Sequence, residues 1–194
     1  MRLWARLMTI SNGMLALVAT AAIGLGAGQA KAQVAPYAMF TAGHYSGLGV
    51  GSGTAANQSG GMTALGGTFG ISDSPLHAGP ISLGGDARAI IENSSNSTPY
   101  GNKIDGFLTG ARLAVNTLAT PLRPYVQAEI GVVGQNNGTS SSKSTSFAYQ
   151  FQFGGDWTLI PHLAARFEYG AGQVETSGNN HTLQSFGAGL VLRL

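Results

Sequence analysis

Two groups of residues in this 194-residue chain could do chemistry. The first is a pair, His44 and Ser46, two positions apart. In an extended strand that spacing puts both side chains on one face. A histidine so placed could act as base to a serine nucleophile, provided an acid orients its ring. No acidic partner is assignable on an adjacent strand, so the expected role is the bland one, a strand end running into a loop. The second group is eight charged residues, Asp86, Arg88, Arg112, Glu129, Asp156, Arg166, Glu168 and Arg193. Each falls on the polar side of an alternating segment. Four positive against four negative sum to zero (4 − 4 = 0), as expected of charges held away from bulk water and paired with one another. Such a set could line an ion path or plug one. In a narrow bore the plug is expected.

Other chemistries find little support. There is no cysteine, which excludes disulfides, thiol catalysis and a lipid-anchored cysteine. The histidines His44, His77, His162 and His181 are scattered, without metal-ligand spacing. The run Gly47-Leu-Gly-Val-Gly-Ser-Gly53 has neither the helix nor the lysine of a phosphate loop, and reads as loop glycine. No cofactor is expected. Residues 1–32 hold Arg2, Arg6 and Lys31; the rest keeps seven basic residues against eight acids (7 − 8 = −1). Without a basic patch, nucleic-acid binding has no electrostatic support.

The elements that position these residues are strands. The last segment, Thr182–Leu194, sets Phe186, Ala188, Leu190, Leu192 and Leu194 against Gly187, Gly189, Val191 and Arg193. Period two marks a strand with two unlike faces. Seven earlier segments follow the same rule: Pro36–Ser46, Met62–Ser72, Pro80–Glu92, Lys103–Val115, Arg123–Gly134, Phe147–Trp157 and His162–Val174. The sixth is the clearest, with Phe147, Tyr149, Phe151 and Phe153 alternating with Ala148, Gln150, Gln152 and Gly154. The first alternates poorly and does not declare its outward face. Eight is an even number, as a closed antiparallel bacterial barrel needs. The expectation is an all-β, eight-stranded antiparallel transmembrane barrel in up-and-down order.

Residues 1–32 read as a secretory signal peptide: a positive start, an uncharged run from Met14 to Ala27, and Ala30-Lys31-Ala32 before a cut that leaves Gln33 first. The barrel domain is then 33–194. The connections alternate between long polar loops (Gly47–Gly61, Asn93–Asn102, Gln135–Ser146, Glu175–His181) and shorter proline-bearing ones (Asp73–Gly79, Asn116–Leu122, Leu159–Pro161). Long outside loops and short periplasmic turns are the usual asymmetry.

A soluble lipid-carrying barrel would also alternate, with its greasy face inward. Its outer face would need many Lys and Glu, yet after residue 32 the lysines are only Lys103 and Lys143. The polar face, mostly glycine with a few long charged groups, suits a crowded lumen in which glycine makes room for arginine. Phe40, Tyr45, Trp157 and Tyr169 are candidate interface girdles.

Three segments carry a resemblance: Arg123-Pro-Tyr-Val-Gln-Ala-Glu-Ile-Gly-Val-Val133, Leu159-Ile-Pro-His-Leu-Ala-Ala-Arg-Phe-Glu-Tyr169 and the C-terminal strand. From about Pro36 to Leu194 the chain resembles the small outer-membrane barrels of the OmpA/OmpX and opacity-protein type. No peptidoglycan-binding domain is expected. Members usually end in an aromatic residue read by the barrel-assembly machinery, where this chain ends in Leu194. The resemblance implies a monomer in the outer membrane of a Gram-negative bacterium. Its partners would be membrane lipid, lipopolysaccharide, the assembly machinery and a surface ligand met through the loops. The expected role is non-enzymatic, structural or adhesive. The alternatives are a lipid A deacylase-like enzyme built on His44 and Ser46, and a narrow channel.

Overall fold

The computed structural model describes residues 34–46, 62–94, 102–116, 120–136, 143–176 and 179–194. The expected signal peptide with its Ala32–Gln33 cut, the glycine run after Gly47 and most of the four polar loops lie outside these residues.

Eight strands follow one another: β1 Ala35–Tyr45, β2 Met62–Ala78, β3 Ile81–Ser94, β4 Asn102–Val115, β5 Leu122–Asn136, β6 Lys143–Ile160, β7 Leu163–Thr176 and β8 Asn179–Leu192. Each pairs antiparallel with the next, and β8 pairs with β1, so the sheet closes into a barrel in meander order. Closure leaves no edge strand with unpaired backbone groups. In a hydrocarbon solvent that is a condition for a sheet to exist at all.

Several strands outrun the sequence reading. β2 runs through the segment expected to be a connection and reaches Ala78, taking in Pro75. The register shifts between Asp73 and Leu76, and such a bulge is where a strand tolerates a residue that cannot donate to the ladder. The β2–β3 turn is therefore only Gly79-Pro80, with Gly79 at φ 60°, a left-handed conformation that residues with a Cβ disfavour. β6 likewise continues past Trp157 to Ile160, over a register shift between Thr158 and Ile160. We call the end bearing Gly79-Pro80 and Pro161-His162 the turn end, and the opposite one the loop end.

The greasy face points outward. Phe40, Phe69, Ile130, Phe151, Phe153, Phe167 and Phe186 are each more than half exposed, on a continuous outer wall. A wall of this kind would be insoluble in water. Along β6, Phe147 and Trp157 are ten residues apart on that face. At about 3.3 Å per residue and a tilt of about 40° this spans roughly 25 Å of depth, the height of a hydrocarbon band. β1 now has a definite register: Ala38, Phe40, Ala42 and His44 face out, while Tyr37, Met39, Thr41, Gly43 and Tyr45 face in. Tyr45 is thus no girdle residue, because its side chain is buried inside the barrel. Phe40, Trp157 and Tyr169 are on the outer wall.

The lumen is filled, and in layers. Towards the loop end lies an apolar cluster of Tyr45, Met62, Ala64, Ile90, Ile104, Leu108, Val133, Ala148, Val174 and Leu183. Below it sit the charged residues. A smaller apolar group, Tyr37, Met39, Ala164 and Val191, lines the β7–β8–β1 wall. The inner face is therefore less uniformly polar than its glycines and charges suggested. Nor does glycine make room for arginine. A Cβ at Gly70 would strike the Tyr37 ring, and one at Gly154 the Tyr125 ring. At Gly66, Gly84, Gly110, Gly131 and Gly189 it would strike the backbone of the neighbouring strand. Glycine serves two inward-pointing tyrosines and the close approach of tightly curved strands.

Candidate functional site

The charged layer has two centres. One is Arg88 on β3, which is 2% exposed. Its Nε lies 3.1 Å from Asp86 Oδ1 and 3.0 Å from Glu129 Oε1, and its two Nη atoms fork onto the carboxylate of Glu168 across the barrel. Spacing of two along β3 puts Asp86 and Arg88 on the same inner face. Alternation on β5 and β7 aims Glu129 and Glu168 at the same point. Glutamines complete the centre: Gln127 Nε2 donates to Glu129 Oε1 at 2.7 Å, and Gln152 Nε2 to Glu129 Oε2 at 2.9 Å.

The other centre is Asp156 on β6, nearer the turn end. Arg166 donates to it through Nε at 2.7 Å and Nη2 at 3.1 Å, and Arg112 through Nη2 at 2.9 Å. Arg193 Nη2 stands 3.9 Å away. Arg166 is Asp156's direct register partner on β7, and Arg123 its partner on β5. Here one carboxylate faces several guanidinium groups, the reverse of the first centre.

Two tyrosines join the centres. Tyr37 donates its hydroxyl to Asp86 Oδ1 at 2.7 Å, and its ring lies 4.2 Å below the Arg166 guanidinium carbon. Tyr125 donates to Glu168 Oε2 at 2.8 Å, and its ring lies 3.7 Å from the Arg112 guanidinium carbon. Each phenol faces the acid-rich centre with its O–H and the cation-rich centre with its π face. Both contacts are favourable for an aromatic ring with a negative face and a polar tip.

All eight charged residues singled out in sequence lie in this interior network. Three further contributors escaped the sequence reading. Tyr37 was hidden by the poor alternation of β1. Arg123 shares parity with Tyr125, and its Nη2 donates to Ser82 Oγ at 3.0 Å. Glu92 shares parity with Asp86 and Arg88. It accepts a 2.8 Å hydrogen bond from Tyr45 beneath the apolar cluster, and no described ion pair includes it. With Arg123 and Glu92 added, the interior count stays neutral (5 − 5 = 0). Between the acid-rich centre and the apolar cluster a cavity remains, lined in part by Thr41, Tyr45, Thr68, Glu92, Gln150 and Gln152. About 10 Å³ of it is open to the centre of a water molecule, room for about one water.

No protein-family model matches this chain, and no curated protein matches it by sequence. Solved structures do. Neisserial surface protein A aligns with a TM-score of 0.58 at 15% identity, over 82% of this chain and 99% of that chain. Ail, the attachment invasion locus protein of Yersinia pestis, aligns with a TM-score of 0.52 at 8% identity, over 84% and 99%. The outer membrane enzyme PagL aligns with a TM-score of 0.51 at 13% identity, over 82% and 99%. The fold is that of the small outer-membrane β-barrels. At such identities the likeness is one of fold, and chemistry must come from this chain's own residues.

On this outer-membrane-type barrel, His44 and Ser46 do not form a charge-relay arrangement. His44 is exposed on the outer wall, where its Nδ1 lies 3.2 Å from Thr63 Oγ1. Ser46 has left the strand for the turn after it, and its backbone N–H donates to the Thr182 carbonyl at 2.9 Å. The residues in register with His44 are Thr63 and Gln184, neither of them an acid. Of the other histidines, His77 and His162 are exposed towards the turn end, and His181 lies near the start of β8. Among the described residues no group of three or more His, Asp or Glu is placed to hold a metal ion.

Proposed function

We propose that this chain is a non-enzymatic barrel of the Gram-negative outer membrane, with a sealed lumen, that acts through its surface. The role would be structural or adhesive, exercised by the loops at the loop end. The observation that carries this reading is the division of the barrel's two faces. The outer wall is a continuous apolar belt, and the interior is occupied by paired charges and an apolar cluster. A lumen packed in this way stiffens a membrane-spanning wall and leaves no wide aqueous path. The chemistry free to vary is then at the loop end. Membrane lipid, lipopolysaccharide and the assembly machinery are the partners such a wall requires, and a monomer suffices because closure satisfies every strand. The neighbours named a surface protein and an attachment locus protein share this architecture; their roles are their own.

The test is an epitope placed within 47–61 of the full chain and expressed in a Gram-negative host. Antibody labelling of intact cells, with a gel mobility that shifts only on boiling, would support the reading. Recovery in the soluble periplasm, without a boiling shift, would overturn it. Discrete openings in planar-bilayer recordings would move the reading to a channel.

A further inference from the structure

The interior charges are balanced in number but not in place. Around Asp156 gather Arg112, Arg123, Arg166 and Arg193, an excess of 4 − 1 = +3. The compensating acids, Asp86, Glu129, Glu168 and Glu92, lie across the Tyr37 and Tyr125 rings. There they accept from Arg88, the glutamines and the phenols. The four turn-end guanidinium groups also keep four buried nitrogens without a hydrogen-bond partner among the described residues: Arg112 Nη1, Arg123 Nε, Arg166 Nη1 and Arg193 Nη2. Two of the side chains, Arg112 and Arg166, are at least 97% buried. A guanidinium group does not shed its proton to relieve such crowding. A buried, unpaired N–H is costly, and unpaired cationic ones more so.

The four groups are graded in exposure. Arg166 is wholly enclosed, Arg112 is nearly so on the face of Tyr125, and Arg123 and Arg193 are part-exposed towards the turn-end mouth. Arg123 is held by Ser82 Oγ, and Arg193 by Thr158 Oγ1 at 2.8 Å, so both forks are anchored with N–H groups to spare. Planar forks with unpartnered donors, on side chains part-exposed at the mouth and in excess positive charge, match the oxygens of a tetrahedral oxoanion.

We propose that the turn-end mouth of the barrel is a binding site for an oxoanion of the phosphate or sulfate type, held by Arg112, Arg123 and Arg193 beside Asp156. The anion supplies the acceptors that Asp156 alone cannot. Its source is either a free ion in the compartment at that end or the headgroup of a phospholipid at the barrel rim.

The test uses the full chain, extracted from membranes in an uncharged detergent and freed of phosphate, sulfate and chloride. Calorimetric titration with sodium phosphate, and separately with sodium sulfate, is expected to show one saturable site that weakens as salt is added. Arg123→Gln with Arg193→Gln should weaken binding at least tenfold while keeping the boiling-sensitive gel shift. Lys103→Gln, at the other end of β4, should leave binding unchanged. If the double variant does not fold, Ser82→Asp serves instead. It sets a carboxylate opposite Arg123, and should abolish phosphate binding and raise the unfolding temperature. Competition by a short-chain phosphatidate would assign the site to a lipid headgroup, and its failure to compete would assign it to the free ion. No saturable binding, undiminished binding by the double variant, or undiminished binding by Ser82→Asp would each overturn the proposal.

Discussion

The guanidinium carbon of Arg112 lies 3.7 Å from the centre of the Tyr125 ring, and that ring's hydroxyl points away from it to donate to Glu168. Arg166 and Tyr37 repeat the arrangement towards Asp86. The two phenols therefore partition the lumen between an acid-rich and a cation-rich centre while touching both. Replacing either tyrosine by phenylalanine keeps the ring over its arginine and deletes only the hydrogen bond to a buried carboxylate. Tyr125→Phe and Tyr37→Phe should each cost about 1–3 kcal/mol, the range for leaving a buried charged acceptor short of a donor. The measurement is the denaturant midpoint of the folded gel band. No shift in either variant would mean that the phenols only fill space.

Gly154 and Gly70 leave the room those rings occupy. Gly154→Ala would drive its methyl group into the Tyr125 ring and against the Phe167 carbonyl, and Gly70→Ala into Tyr37 and the Ala87 carbonyl. Each should destabilise by about 1–3 kcal/mol or more, as overpacking of a tight interior does. Gly85→Ala, whose methyl would meet only one backbone oxygen at an ordinary 3.7 Å, is the control and should be nearly silent. Folded yield and thermal loss of the compact band distinguish the three.

Arg88 is the cation shared by Asp86, Glu129 and Glu168. Its removal in Arg88→Met leaves three buried carboxylates facing one another. The expected loss is about 3–5 kcal/mol, typical of breaking a buried pair from one side. Replacing Glu129 and Glu168 by glutamine in the same chain should recover much of it, because two of the three orphaned charges are then gone and Asp86 keeps the Tyr37 hydroxyl as a donor. A double-mutant cycle on unfolding midpoints measures the recovery, and its absence would show that Arg88 acts by packing alone.

Glu92 is a different case. Its carboxylate is buried under the apolar cluster, held by the Tyr45 hydroxyl and outside the described ion pairs. Glu92→Gln removes the charge and keeps an acceptor for that hydroxyl, so stability at neutral pH should hold or rise. Tyr45→Phe removes the donor and keeps the charge, so stability should fall. The opposite order would mean that Glu92 has a cation partner beyond the described residues.

The pair at His44 and Ser46 makes a functional prediction. With His44 on the outer wall beside Thr63, and Ser46 beyond the strand end, neither is oriented by an acid among the described residues. Alanine at both positions should leave the acylation pattern of lipid A unchanged in cells expressing the barrel. A changed mass spectrum would restore the enzyme reading.

Period two is a local property, and it carried most of the architecture. Alternation on β4 to β8 and the scarcity of lysine sufficed to give a barrel with its greasy side out, and parity alone placed Asp86, Arg88, Arg112, Glu129, Asp156, Arg166, Glu168 and Arg193 on one face. What parity cannot supply is which residues of different strands stand at the same height. That depends on stagger around the closed sheet, which no single segment encodes. Only closure brings Arg88 of β3 to Glu168 of β7, gathers several arginines around one aspartate, and sets two tyrosines between the halves. The orientation of β1 was likewise decided by its neighbours. Its own alternation is weak, and the pairing of Tyr37 with Gly70 and Val191 turns that ring inward, into space that glycine leaves free. The extension of β2 through Pro75 has the same origin: a local breaker was overruled by a bulge that the adjacent strand could accommodate.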